Sequence, residues 1–446
     1  MNDDIRPWDK NPRYWQYKGE PVLLLGGSDG DNLYQMPDAE LRAQLDLLRS
    51  VGGNCIRNVM SCRDKGDAWM FGKNEQGQYD LDLWNDEHWR RFENLLKWTH
   101  ERDIIVQIEV WAFHDFNDPK GPWGDCQEQM YHVSPWNPAN NVNLNAENTQ
   151  LKERYGSMGK VKHDFFFSVP ALNNDTALLG YQQKFVDKLL SYAQPYGHVL
   201  YCMTNEIHPQ YSHEWGWYWA TYIRDKAREA GKQVYTSEMF WQPDLTHEQH
   251  RPALEHPEVY SFFEASQNSA REGQLNWDQR AFVYEALSAQ PRPMNNTKIY
   301  GSEHEMIRDD VNAKQCFWRN IIGGCASSRF HRPPCGLGLG AVAQANIRSM
   351  RMLTEELNIF DCTPHNDLLS DRAENGAYCT ANPGTEYAVY FPAGGTVTLD
   401  LSAAEGELTA RWLDIGASAW GKQEKLGPGQ ATLVAPADAP RVVLIK

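Results

Sequence analysis

Basic residues are the first shortage. Lys and Arg together number 43 against 59 Asp and Glu, a net charge of −16 over 446 residues. No Lys/Arg-rich run offsets that balance, which argues against nucleic acid or an anionic membrane as partner, since both demand a basic footprint. Long apolar runs are also missing, and none approaches the ~20 residues of a membrane span. The opening Met1-Asn2-Asp3-Asp4 is polar and acidic, so no signal peptide is read. The nine cysteines are odd in number and scattered without a disulfide framework. A reduced, cytoplasmic protein is the plainer expectation, or a periplasmic or secreted one if a leader was trimmed. His304 lies beside Glu303 and Glu305, with His208 and His213 near Glu206, but no His-x-x-x-His spacing or Cys/His framework accompanies them. No metal or other cofactor is expected. Gly336-Leu337-Gly338-Leu339-Gly340 lacks the lysine and the strand–helix setting of a phosphate loop and reads as a flexible lip.

Aromatics, by contrast, are abundant: 17 Trp and 20 Tyr. Several tryptophans fall in polar loops, namely Trp69, Trp111, Trp123, Trp136, Trp215, Trp217 and Trp241. Sugar rings stack their C–H faces on such side chains, so the set suits a carbohydrate cleft; the alternative is that they pin long loops to the surface.

The hydrophobic pattern alternates strand and helix eight times before residue 360, the signature of a (β/α)₈ TIM barrel. Tyr14 to Val22 reads as a hairpin turning near Lys18-Gly19, ahead of strand one at Val22 to Leu25. Leu41, Leu45 and Leu48 give helix one its apolar face, stopped at Gly52-Gly53. Later strands are expected at 54–60, 104–110, 199–204, 233–239, 259–263, 298–302 and 324–330. The irregular stretch from Trp111 to about Leu172 leaves the carboxyl end of strand three and is expected to wall a cleft. From residue 361 short alternating strands replace the pattern. The division is therefore 1–360, barrel with amino-terminal hairpin, and 361–446, a small antiparallel β-sandwich.

Barrel chemistry belongs at the carboxyl ends of the strands. Strand four runs into Asn205-Glu206, and strand seven into Glu303, with Glu305 two residues on and aimed to the same side. Two carboxylates at two strand ends supply the proton donor and the nucleophile of a retaining glycosidase. Glu109, Glu238 and Glu264 also fall near strand ends, to hold sugar hydroxyls or to pair with Arg57, Arg63 or Arg329. Asp29, Asp31 and His114 are candidate sugar contacts or structural groups.

These residues resemble the clan A glycoside hydrolases. The aromatic hairpin, the run from Tyr181-Gln182-Gln183-Lys184-Phe185-Val186 to Thr204-Asn205-Glu206, and the terminal sandwich look like the apiosidase-like glycosidases, which act on pectin side chains and carry a collagen-binding-like end domain. The resemblance implies that Glu206 is the acid/base and Glu303 the nucleophile. It further implies that Asn205 binds the hydroxyl next to the reacting carbon and that Arg57 stands beside the nucleophile. The chain differs from the clan at Phe263-Glu264, where Tyr or His is common, and at Ser328-Arg329-Phe330-His331, where Trp is common. Glu264 and His331 thus join Trp111, Trp241, Asp29, His114 and Glu238 as expected substrate contacts. The expected partner is an oligo- or polysaccharide of plant or algal origin, with a non-catalytic glycan-binding barrel as the other function class.

Overall fold

The computed structural model describes residues 4–117, 130–156, 161–302, 309–436 and 438–446. Glu303, Glu305, His304 and Trp123 lie outside the described residues.

Eight parallel strands form one sheet: β1 (Leu24–Gly27), β2 (Cys55–Val59), β3 (Ile105–Trp111), β4 (Val199–Thr204), β5 (Thr236–Ser237), β6 (Phe263–Glu264), β7 (Met294–Ile299) and β8 (Ser327–Phe330). Their order is β5-β4-β3-β2-β1-β8-β7-β6. The ring closes between β5 and β6 where the Ser261 N–H donates to the Thr236 carbonyl at 2.8 Å. The helices outside are α1 (Asp38–Ser50), α2 (Asp86–His100), α3 (Thr176–Ala193), α4 (His213–Glu229), α5 (Arg251–Glu255), α6 (Gly273–Ala286), α7 (Asp310–Ile322) and α8 (Ala341–Glu356), one after each strand. This is the (β/α)₈ barrel expected from the alternation. No helix among the described residues is long and apolar enough to cross a membrane.

Local chemistry accounts for the elements. In α1, Leu41, Leu45 and Leu48 are buried on one stripe. The helix ends where Gly52, at φ +84°, donates to the Arg49 carbonyl and Gly53 donates to that of Leu48. Asp175 caps α3 by accepting from the Leu178 N–H at 3.1 Å. The amino-terminal hairpin pairs Trp15–Tyr17 with Glu20–Val22. Its two turn residues, Lys18 and Gly19, both take positive φ, 51° and 87°, which matches the strands' twist. Trp15 then closes the lower end of the barrel: fully buried, it donates to Asn295 Oδ1 at 2.9 Å and meets Tyr235 and Phe262 edge-on.

Three strands depart from expectation. β5 and β6 are two residues each, shorter than 233–239 and 259–263, because the Ser261 and Thr236 side chains bond across the gap in place of a ladder. β7 begins at Met294, four residues earlier than the expected Lys298. Its Asn295, Asn296 and Thr297 are polar but fully buried, and Asn295 and Thr297 find side-chain partners inside the barrel, Trp15 and Glu264, so an apolar run is the wrong signal for it. A further hairpin, Phe71–Lys73 with Tyr79–Trp84, sits between β2 and α2.

After the barrel come two antiparallel sheets. The larger places Tyr387, Val389 and Phe391 on the sandwich interior, and Tyr378, Tyr390 and Val442 on the face turned to the barrel. Tyr390 stacks on Trp318 of α7 at 5.4 Å, and Tyr378 packs on Trp277 of α6 at 4.7 Å. Ser349 of α8 donates to the Ile415 carbonyl at 2.7 Å. A chain truncated after Phe360 would expose Trp277 and Trp318. Each aromatic hides on the order of 150–250 Å² when buried, so the truncated barrel is expected to aggregate on expression. A soluble, monomeric truncation with the parent's melting temperature would count against that packing.

Candidate active site

A cavity of about 250 Å³ opens at the carboxyl ends of the strands, lined in part by Asp31, His114, Asn205, Glu206, Lys298, Tyr300 and His331. β4, buried throughout, delivers its central pair. The Asn205 N–H donates to the Trp111 carbonyl and the Ile207 N–H to that of Met239, each at 3.0 Å. Between these two anchors Glu206 takes φ +65°, a left-handed conformation costing a non-glycine residue roughly 1–3 kcal/mol. Its nearly buried carboxylate is surrounded by donors. Tyr300 OH donates to Oε1 at 2.7 Å, Lys298 Nζ contacts the same oxygen, and His114 Nε2 lies 3.1 Å from Oε2. Burial, with Lys298 and Arg63 nearby, presses the His114 pKa down to about 3, so the ring is neutral at ordinary pH and can donate through Nε2–H.

Under the pair lies a second layer. Arg57 is fully buried and grips Glu109 with Nε and Nη2, a bidentate charge-assisted pair. Its Nη2 also donates to Asn205 Oδ1 at 3.1 Å, and Nη1 to Asp31 Oδ1 at 2.5 Å. Lys298 Nζ reaches the same Asn205 oxygen at 3.3 Å. Asp31 is the hub of the opposite wall: Oδ2 accepts from Arg63 Nη2 at 2.8 Å and from Arg332 Nε at 2.6 Å. Burial alone would raise its pKa, yet the guanidinium groups of Arg332, Arg57 and Arg63 hold it well below the usual carboxylate range. His331 lies 3.5 Å from Asp31 and edge-on to Tyr300. Burial keeps it neutral, against the pull of Asp31.

Of the residues named from sequence, Asn205, Glu206, His114, Trp241 and His331 line the cavity. Trp241, 43% exposed, stands at the mouth with His208 tilted against it at 5.1 Å. Arg57 supports the cavity from below without lining it. Four others serve elsewhere. Asp29 Oδ1 accepts from the Leu339 N–H at 2.8 Å, tying β1's loop to the glycine-rich lip, which is thereby held down. Trp111 packs among Trp136, Phe165, Phe185, Trp215 and Trp219. Glu238 accepts from the Thr204 and Met239 N–H groups, its pKa driven up by burial. It sits under α4, where a Cβ on Gly216 would come within 2.5 Å of Oε2. Glu264 spans Gln107, Ser266 and Thr297 inside the barrel, and burial raises its pKa to about 7 despite those bonds. Trp69, Trp136 and Trp215 are buried as well, and Trp111 ends β3 while Trp215 and Trp217 lie in α4 rather than in loops, so most of the tryptophans read as loop residues form core rather than sugar platforms.

Asp31, named from sequence as a possible sugar contact, lines the cavity too, joined by Arg63, Lys298, Tyr300 and Arg332, and for Lys298 and Tyr300 the sequence held one usable sign. Lys298 and Tyr300 are two apart at a strand end, hence on one side, and a lysine entering a barrel mouth needs an anion there.

Solved structures align over all of this chain, two glycoside hydrolases among them. One, a glycoside hydrolase, shares 13% identity with a TM-score of 0.66 and is covered over 97% of its length. The other, a family 5 glycoside hydrolase from Bacteroides vulgatus, shares 13% identity with a TM-score of 0.64 and is covered over 94%. Identities this low show a common fold, barrel and appended sheets together. No family model matches the chain, and no curated protein matches it in sequence.

Proposed function

We propose that the chain is a retaining glycoside hydrolase of the clan A type, with Glu206 as acid/base and Glu303 as nucleophile. The observation that carries the reading is the placement of Asn205-Glu206 at the end of β4, with Glu206 facing a cavity through a carboxylate ringed by Tyr300, His114 and Lys298. In double displacement, one carboxyl group protonates the leaving oxygen while the other attacks the anomeric carbon. Water then enters with the first group acting as base. Glu303 follows directly on the described Ser302; its role, with Glu305 as the alternative, rests on the sequence resemblance.

Asn205 has its oxygen taken by Arg57 and Lys298, which leaves its NH₂ to donate to a sugar hydroxyl. Trp241 offers an exposed ring at the mouth for stacking. The resemblance to apiosidase-like enzymes extends the proposal to glycans derived from plant or algal polysaccharides. The test is a panel of aryl glycosides and plant and algal oligosaccharides, with ¹H NMR reporting the anomer first released. Release of the retained anomer is expected. Tight oligosaccharide binding without any turnover would replace the hydrolase by a glycan-binding protein.

Trp241→Ala should raise KM for oligosaccharides by about 5- to 150-fold, since a stacked ring is worth about 1–3 kcal/mol in comparable base–aromatic contacts. The value of kcat on a small aryl glycoside should stay near the parent's. A fall in kcat on both, with KM unchanged, would place Trp241 in positioning the catalytic groups instead.

A further inference from the structure

A second concavity opens on the catalytic face, and the chemistry at Glu206 makes no use of it. The hairpin of Phe71–Lys73 and Tyr79–Trp84 follows β2, and the 130–143 stretch follows β3, so both belong to the face that carries barrel chemistry. Between them lies a groove of about 620 Å³, inside the roughly 300–1,000 Å³ usual for small-ligand sites. Its walls are tied to one another. The Tyr79 N–H donates to the Asn140 carbonyl and the Val142 N–H to that of Tyr79, each at 3.0 Å. The Leu81 N–H adds a bond to Asn143 Oδ1 at 2.7 Å. Arg63 borders the catalytic cavity and Lys65, two residues on, borders this groove, so one short segment walls both.

The lining holds two cations, Lys65 and Lys73, and no carboxylate among the described residues, in a chain of net charge −16. Both lysines are exposed, and neither forms an ion pair with a described residue. Lys73 Nζ stands 4.7 Å over the Tyr79 ring. The acids nearby in the chain are engaged elsewhere. Asp67 accepts from Asn32 and from the Asp64 N–H, Asp64 lies 4.0 Å from Arg63, and Asp80 accepts from Asn143 and the Asp82 N–H. Glu75 is exposed near the hairpin's tip and does not line the groove. Asn140 spends its Nδ2 on the carbonyls of His132 and Ser134, which leaves Oδ1 to accept from a hydroxyl. Trp69 and Tyr79 add ring surface. Two ammonium groups, an amide acceptor and aromatic surface suit a sugar that also carries negative charge.

We infer that this groove is a distal subsite for an anionic glycan, whose carboxylate or sulfate groups meet Lys65 and Lys73. The inference rests on the hydrolase reading and adds the charge of its substrate. Once part of a long acidic chain is held in the groove, its engagement of the cavity at Glu206 becomes an intramolecular step.

The experiment is calorimetric titration of the intact protein with two pairs of probes. One pair is hexagalacturonate and its methyl ester; the other is a sulfated galactan hexasaccharide and its desulfated form. In at least one pair the charged member should bind more tightly, and the pair that shows it tells carboxylate from sulfate. That preference should shrink as salt rises to about 1 M, where screening reaches ~3 Å. In the Lys65→Ala/Lys73→Ala double variant, Kd for the charged probe should rise about 2- to 30-fold, the reach of two exposed ion pairs. Ala139→Trp, which crowds the groove without removing a charge, should weaken binding of the same probe. Equal affinity within both pairs, or no binding of any probe, would overturn the inference. So would a charge preference that survives both variants, because the anion would then sit elsewhere. The titration needs no turnover. A protein that binds the acidic probe but cleaves no glycoside defeats the hydrolase reading, whereas one that cleaves glycosides without a charge preference defeats only this inference.

Discussion

Glu206→Ala is expected to lose about 10²–10⁴ in kcat/KM on natural glycosides, the usual worth of a general acid, or roughly 3–5 kcal/mol of barrier. Dinitrophenyl glycosides should be largely spared, because their leaving group departs with little protonation. Azide should restore the variant with retained configuration by attacking the intermediate held on Glu303. Glu303→Ala should instead abolish turnover on every substrate, since no covalent intermediate forms; azide would then displace directly and give the inverted product. Kinetics on the two substrate classes and the anomer of the azide adduct separate the roles. If Glu303→Ala stays active while Glu305→Ala does not, the nucleophile moves two residues along. If neither Glu206→Ala nor Glu303→Ala differs from the parent, the hydrolase reading falls. Folding must be checked alongside. Glu206→Ala leaves the Lys298 ammonium without its carboxylate, and a buried charge deprived of its partner is costly.

Much of this scaffold was legible in the chain. β4 was visible because its six residues form one apolar run, and the hairpin because Lys18-Gly19 supplies the positive φ its turn demands. β7 was misplaced because a barrel interior accommodates amides when each finds a partner, as Asn295 does with Trp15. The tryptophans misled for a related reason. Loops as long as 111–172 build their own apolar core, and Trp111 and Trp136 serve it. At the site, strand position identified Asn205-Glu206 but could not choose between Asp29 and Asp31. Beyond a strand end the chain no longer alternates, so which of the two faces the cavity depends on where the loop turns. Asp29 is held by Leu339, and Asp31 collects the arginines. Those arginines come from β2 itself, from the connection after it and from the connection after β8, a convergence that single-chain periodicity does not carry.

Asp31→Asn should be the most damaging single change outside the two glutamates. One carboxylate faces Arg57, Arg63 and Arg332, with side chains between 0% and 12% exposed. An amide keeps the shape but brings no charge, and its NH₂ group points a donor at donors. Arg57 retains Glu109, whereas Arg63 and Arg332 lose their closest anion. Breaking a buried pair from one side costs about 3–5 kcal/mol, so the urea midpoint should drop by that amount divided by the m-value. Activity should fall as well, because Asp31 and His331 wall the cavity. The pH dependence follows from the depressed pKa of Asp31. A carboxyl group with a folded value below its unfolded one, about 3.9, contributes its full stability above that value and loses it as pH falls towards the folded value. The gap between parent and Asp31→Asn should therefore be flat from about pH 5 to 8 and close only under stronger acid. A gap already narrowing between pH 7 and 5 would mean that a histidine, not Asp31, sets the balance of this wall. Paired with Arg63→Met, the change should cost less than the sum of the two alone, since each removes the other's partner. Strict additivity would show that Asp31 and Arg63 act independently.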